Sequence, residues 1–372
     1  MDHWRRGHKQ MCKKIHRGGN AEQYNADKKY KEAVAVAVAK CADDTKGQTC
    51  YICTQALHWK TKEGLVRGCA CRGTAGFAHV SCLAEQAKIL RAEAEENNLG
   101  NKALSERFRR WDTCSLCEQD YHGVVRCALG WACWKTYLGR PETDNARCLA
   151  INQLGNGLLE AEHLEDALRV KKAELANMRR LGASESNILV VLNNIATTYQ
   201  YLGRAEKAMR LKRDVYSGRL KLNGEEHERT VLAANNYASS LVDLQRFEEA
   251  KCLMRKMIPV ARRVRGESND ITLRMRKIYA RALCEDPGAT LDDLNEAVTT
   301  LEDAERIARR VLGASHPLTT RIEDSLQYTR AALGSREMTA AGRGTTRADD
   351  VRSLCEAVAA MASTQRPGDA QS

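Results

Sequence analysis

The chain has 372 residues and a formal net charge of +11, with 43% hydrophobic and 5% aromatic residues. That length allows two or three domains, and the charge permits contact with acidic partners. No apolar run approaches the roughly 20 residues that span a bilayer, and seven of the fifteen cysteines fall in one array, which argues against a secreted disulfide scaffold.

Taken in chain order, residues 1–16 contain His3-Trp4 and then His8 and Cys12, four positions apart. This resembles the last turn of a MYND-type zinc finger, a family that needs six further ligands upstream. The sequence begins at Met1, so the segment is expected to be a remnant, with His8 and Cys12 an incomplete zinc half-site. Residues 17–47 are expected to form a helical linker. Ala33 to Ala39 alternates like a strand, but the alanine content and flanking Lys/Glu residues favour a helix over Ala21 to Cys41.

Residues 48–120 hold eight potential metal ligands in matched pairs: Cys50 and Cys53, Cys69 and Cys71, His79 and Cys82, Cys114 and Cys117. Thiolate and imidazole groups suit zinc, and four close pairs complete two tetrahedral sites. Metal binding then supplies folding energy to a segment with little core of its own. His58 and His122 match no pair and are expected to be surface or core residues.

Plant-homeodomain-type fingers share the ligand order, but usually have a wider second pair and fewer residues before the histidine. The C-x-C of Cys69 and Cys71, the seven-residue step to His79, and the run from Gly68 through Phe77 and His79 to Cys82-Leu83 resemble the RING-CH (RING-variant) domain of ubiquitin ligases. The resemblance implies two zinc ions. Cys50, Cys53, His79 and Cys82 would hold the first, and Cys69, Cys71, Cys114 and Cys117 the second. It further implies a ubiquitin-protein transferase without a covalent catalytic residue, in which Ile52 and Leu83 contact a ubiquitin-conjugating enzyme. Three features depart from the family. Cys82 and Cys114 are separated by 31 residues, read as a charged helix broken near Asn97 to Asn101. The aromatic expected soon after Leu83 is replaced by Gln86 and Ala87. Glu118 stands where many active ligases place a basic group.

Residues 121–145 are expected to be a connector, with Val124 to Leu138 a buried helix. From 146 to 333 the sequence repeats. Asn193 and Asn194 recur 42 positions later as Asn235 and Asn236, and Gly182, Gly224 and Gly266 keep the same period. Gly313 follows after 47, and the five extra residues are assigned to the turn Cys284 to Thr290. Each unit reads helix, turn, helix, with Ala167, Ala208, Ala250 and Ala297 as small residues in second helices. This resembles tetratricopeptide repeats of the kinesin-light-chain-like kind, which implies an α-solenoid with a partner-binding face on its first helices. Asn193, Asn194, Asn235 and Asn236 are the candidates on that face. Residues 334–372 are expected to be largely disordered.

The expected fold is therefore mainly α, a small two-zinc cross-brace domain followed by an α-solenoid. The leading expectation for function is an intracellular, cytoplasmic or nuclear ligase whose zinc module recruits a conjugating enzyme and whose repeats recruit a protein or peptide substrate. The alternative is a non-enzymatic interaction scaffold. Neither a membrane nor nucleic acid is the expected partner.

Overall fold

A computed structural model describes residues 20–341. They form thirteen α-helices joined by short turns, with two isolated antiparallel bridges as the β-pairing among them. The helices are α1 (Ala21–Lys40), α2 (Val80–Glu96), α3 (Asn101–Phe108), α4 (Gly123–Tyr137), α5 (Asn145–Glu160), α6 (Leu164–Arg180) and α7 (Glu185–Tyr201). They continue with α8 (Ala205–Asn223), α9 (Glu228–Asp243), α10 (Phe247–Arg265), α11 (Asp270–Glu285), α12 (Leu291–Leu312) and α13 (Pro317–Ala341). No described helix is long and apolar enough to cross a membrane. The chain divides into two compact units after Gly203.

In the first unit, α1 packs along α4, and α4 packs along α5. Asn20 caps α1 by accepting from the Gln23 amide at 2.8 Å. Tyr30, Val34, Ala37 and Cys41 are buried on one side of it, at the spacing of a helical face. They join the ligand-bearing segment, α4 and the start of α5 in a single core. The expected linker is thus part of the zinc domain's interior. Its alanines and valines leave room for close approach to α4.

The expected insert folds back as α2 and α3, broken at Asn97 to Gly100. Arg91 fixes the hairpin, bonding the Leu104 carbonyl at 2.9 Å and Glu95 at 2.7 Å. The bridge Val66–Ala78 and a one-turn 3-10 helix over Arg109–Trp111 carry the chain between the ligand pairs.

In the second unit, successive helices α8 to α13 pack against one another, and the first helices α9, α11 and α13 also touch their next neighbours. The repeating glycines terminate second helices. Gly224, Gly266 and Gly313 sit at φ +79°, +86° and +90°, where a side chain would be strained. A threonine six residues later locks each of the first two turns: Thr230 and Thr272 donate to the Gly224 and Gly266 carbonyls at 2.8 and 2.9 Å.

The five extra residues are shared differently from expectation. The turn before α12 has two more residues than the turn before α10, and α12 has 22 residues where α10 has 19. A helix extended by nearly one turn keeps its backbone hydrogen-bonded, which a longer loop would not. The capping box of Thr290 and Asp293 fixes the new start. At the other end, α13 runs to Ala341, eight residues beyond the expected end of the repeats. Residues 1–19 and 342–372 lie outside the described residues.

The repeats differ in their interiors. Ala208, Ala250 and Ala297 are buried as expected, and Met254 and Met257 fill the second unit's core. One and two repeats earlier the Met254 position holds Lys212 and Lys171, and Glu174 stands two repeats before Met257. Lys171 and Glu174 are nonetheless buried in α6.

Candidate metal centre

The eight ligands gather into two groups. One comprises Cys50, Cys53, His79 and Cys82, the other Cys69, Cys71, Cys114 and Cys117, and within each group the ligand atoms lie within 4.8 Å of one another. The grouping is interleaved: the first and third pairs share one centre, the second and fourth the other. His58 and His122 belong to neither group.

Two pairs are presented by the same backbone device. The Ile52 amide donates to Cys50 Sγ at 3.4 Å, and the Leu116 amide to Cys114 Sγ at 3.4 Å. The Thr54 amide returns to the Cys50 carbonyl at 2.8 Å and the Glu118 amide to the Cys114 carbonyl at 3.1 Å. Thr54 and Glu118 both take positive φ, 62° and 56°. Tyr51 in the first turn and Ser115 in the second join hydroxyls at 3.1 Å.

His79 is the residue before α2, and Cys82 lies in that helix's first turn. The imidazole directs Nδ1 toward two thiols, 3.4 Å from Cys53 Sγ and 3.6 Å from Cys82 Sγ. Its Nε2 faces the Ala56 carbonyl at 3.3 Å, an outer contact of the kind that fixes a ligating histidine's tautomer. The His58 ring packs edge-on against it at 5.3 Å, and His58 is itself held by Thr61. Burial pushes the His79 pKa down, favouring the neutral imidazole that a metal needs.

The donor set fits zinc. Bond lengths of about 2.3 Å to sulfur and about 2.0 Å to nitrogen give tetrahedral edges of about 3.8 Å between sulfurs and about 3.6 Å between sulfur and nitrogen. Cys71 and Cys114 lie 3.8 Å apart, and the two His79 distances agree equally well. Burial, with neighbouring thiols, pushes Cys69 and Cys82 well up, so a nearby cation is what would hold these two as thiolates. The second group is tight: a Cβ on Gly76, at φ +84°, would sit 2.6 Å from Cys71 Cβ.

The other predicted residues separate. Ile52 is 37% exposed at the tip of the first turn, whereas Leu83 is 4% exposed and buried in the core. Leu83 is therefore a packing residue, because α2 turns that face toward α4. Leu116 holds in the last pair the place of Ile52 in the first and is 51% exposed. The repeated C-x2-C carries that signal in the sequence. Leu57 and Trp59, 59% and 69% exposed between the first two pairs, had no motif to mark them. Glu118 pairs with Arg110 at 2.9 Å. His8 and Cys12 lie outside the described residues.

The candidate partner residues sit on first helices, Asn193 and Asn194 in α7 and Asn235 and Asn236 in α9. Asn193, Asn194 and Asn236 are half-buried. Asn235 is buried, with Nδ2 3.2 Å from Asn236 Oδ1, so it serves first as an internal group.

Comparison with known proteins agrees with this division. Residues 50–117 match the RING-variant domain and residues 188–229 a tetratricopeptide repeat. No curated protein matches the chain. Two solved structures of a Podosopora anserina protein with nearly identical TPR-like repeats, assigned as a kinesin light chain, are similar at 20% identity. They cover 59% of this chain and 97% of that one, with TM-scores of 0.45 and 0.44. BtubC (BKLC) from P. vanneervenii is similar at 14% identity over 79% of this chain and 94% of that one, with a TM-score of 0.46. The chain carries a RING-variant domain at residues 50–117, followed by tetratricopeptide repeats.

Proposed function

We propose that this protein is a RING-variant ubiquitin-protein ligase that binds two zinc ions through the eight ligands. In this reading the zinc module recruits a ubiquitin-conjugating enzyme and the repeats recruit the protein to be modified. The observation that carries it is the interleaved pair of four-ligand centres within the RING-variant match. Zinc supplies a rigid frame and no chemistry of bond-making. The chain's own residues act by holding a charged conjugating enzyme near a substrate amine, which is catalysis by proximity and orientation.

Ile52 and Leu116 are the exposed apolar tips of the two matching turns and the residues best suited to that contact. Arg110 stands beside the last pair, where the sequence puts Glu118 in place of a basic group. Its guanidinium reaches both the Glu118 carboxylate and the Cys114 carbonyl.

The test is autoubiquitination by the purified, zinc-loaded chain with a panel of conjugating enzymes. Chain formation that disappears in Ile52→Ala is the expected result. No chain formation with any of them supports the second reading, a non-enzymatic scaffold, which the acidic Glu118 favours.

A further inference from the structure

The turns that lead into the first helices of the second unit carry one position whose chemistry changes between repeats. Two residues after Gly224 stands Glu226, and two residues after Gly266 stands Ser268. Glu226 is held by the second helix of its own repeat. Arg263, near the end of α10, donates to one of its oxygens through Nε at 3.1 Å and Nη2 at 2.8 Å. Arg263 lies three residues before Gly266, and Arg310 on α12 lies three residues before Gly313. Because α11 packs against α12 as α9 packs against α10, Ser268 and Arg310 occupy the places of Glu226 and Arg263.

Arg310 lacks the partner that Arg263 has. It is exposed and, among the described residues, makes no ion pair; the Ser268 hydroxyl is exposed and makes no hydrogen bond there. Cations already crowd this turn. Arg262 Nη2 and Arg276 Nη1 share one oxygen of Glu267, at 3.2 and 3.5 Å. Arg276 is 3% exposed, its Nη1 is buried without a hydrogen bond, and its Nη2 stands 3.6 Å from Asp303. Arg306 adds its charge to the surroundings of Arg276, and Arg310 follows Arg306 one turn later on α12. Arg262, Arg276, Arg306 and Arg310 thus outnumber Glu267 and Asp303, and the excess matches the charge of a phosphate monoester dianion. The other serines at this position differ. Ser184 caps α7 through the Asn187 amide, and Ser315 precedes α13, the last described helix, with no second helix after it.

We propose that Ser268 is a phosphorylation site and that Arg310 binds the phosphate it acquires. The Ser268 hydroxyl oxygen forms a bond to the γ-phosphorus of a nucleoside triphosphate. The bond from that phosphorus to the bridging oxygen breaks, and a nucleoside diphosphate leaves. The hydroxyl proton passes to the base of a protein kinase. Arg263 and Arg265, five and three residues upstream of Ser268, suit a kinase with an acidic peptide groove. Phosphoserine restores at 268 the acidic group present at 226, with a charge of roughly −2 and three acceptor oxygens. A guanidinium binds such a group through two parallel hydrogen bonds. The modification therefore ties the start of α11 to the end of α12, as Glu226 and Arg263 tie α9 to α10. The inference goes beyond the ligase reading and does not depend on it.

The experiment uses the purified full chain, ATP and an arginine-directed serine kinase, with a peptide of residues 260–274 treated alongside. Mass spectrometry locates the phosphate, and phosphorus NMR follows its titration. Ser268 is expected to carry phosphate in the folded chain, and Ser268→Ala should lose that signal. Failure to modify folded Ser268 overturns the site, and modification of the peptide alone shows that the folded turn withholds the hydroxyl. In the modified chain the phosphate should titrate about one pH unit below the phosphopeptide, whose second pKa is about 6. Amide exchange over residues 266–270 should slow about tenfold on modification. Arg310→Ala should cancel both effects without changing the rate of phosphate incorporation, and Arg310→Lys should keep most of the lowered titration. A phosphate that titrates as in the peptide, or one whose titration is the same in Arg310→Ala, overturns the role of Arg310. Ubiquitin transfer is not read, so failure of the ligase reading leaves these outcomes unaffected.

Discussion

Arg110 Nη2 lies 2.9 Å from the Glu118 carboxylate, and Arg110 Nη1 lies 3.2 Å from the Cys114 carbonyl. One guanidinium thus clasps the final ligand pair from the side, reaching it from the end of the segment that separates Cys82 from Cys114. The pair is solvent-facing, and exposed ion pairs contribute little to stability. Its consequence is positional: the acidic residue after the last ligand brings a cation to the same surface.

Arg110→Ala should therefore leave zinc content and melting temperature close to wild type and lower ubiquitin transfer several-fold. Metal analysis and a transfer assay on the same preparation separate these effects. A variant with full transfer activity would show that the clasp is only structural.

Zinc removal should act on one unit more than the other. The core that includes Cys50, Cys69, Cys82 and Cys114 continues through α1 and α4 to Ala150, while the second unit has a separate core starting at Met209. Chelation, or Cys71→Ser, should expose amides over residues 20–150 to hydrogen exchange and leave α9 to α12 protected. Two zinc ions per wild-type chain are expected, and one per chain for Cys71→Ser. Uniform loss of protection along the whole chain would contradict the separation.

The four ligand pairs were legible because each fixes two donors within a few residues, whereas their interleaving into two centres was implied only by the resemblance and needs the fold. The 42-residue period was equally legible, since each repeat must bury the same face. Leu83 was not, because a residue beside a ligand has no local mark of whether its helix turns it inward. Nor was the clasp from Arg110 to Glu118, which depends on the path of α2 and α3. The five extra residues between Gly266 and Gly313 were visible as a number, but their division between a turn and α12 was set by where Thr290 and Asp293 could cap a helix.

The interior of the first repeat should make stability depend on pH. Burial raises Glu174 to about 7 and lowers Lys171 to about 8. Asn152 holds one Glu174 oxygen at 3.3 Å, while the other is buried without a partner. The raised Glu174 contributes stability that is complete below its unfolded value near 4.5 and is lost as pH rises through about 7. The depressed Lys171 contributes stability that is complete above its unfolded value near 10.5 and is lost as pH falls through about 8. Both groups are charged and buried between about 7 and 8, so the cost of the pair peaks there. Glu174→Gln should stabilise the first unit at pH 8 by roughly 1–3 kcal/mol and have little effect at pH 4. Denaturant unfolding at the two pH values measures this, and an equal effect at both would remove ionisation as the cause.

Gly76 offers a test of the second centre that spares every ligand. Its φ of +84° is one that side chains rarely adopt, and an added Cβ would lie 2.6 Å from Cys71 Cβ and 3.0 Å from Cys71 Sγ. The strained backbone and the clash act in the same direction, displacing Cys71 from the position that sets its 3.8 Å separation from Cys114. Gly76→Ala should weaken zinc at the second centre at least tenfold, on the scale of an outer-contact loss, while the first centre, built on His79 and its Ala56 contact, keeps its ion. Gly73 has positive φ but open space around it, so Gly73→Ala carries the backbone strain without the clash. Competition with a chromophoric chelator resolves the two affinities. Weakening by Gly76→Ala but not by Gly73→Ala assigns the effect to crowding of the thiolate, and equal weakening by both assigns it to the turn.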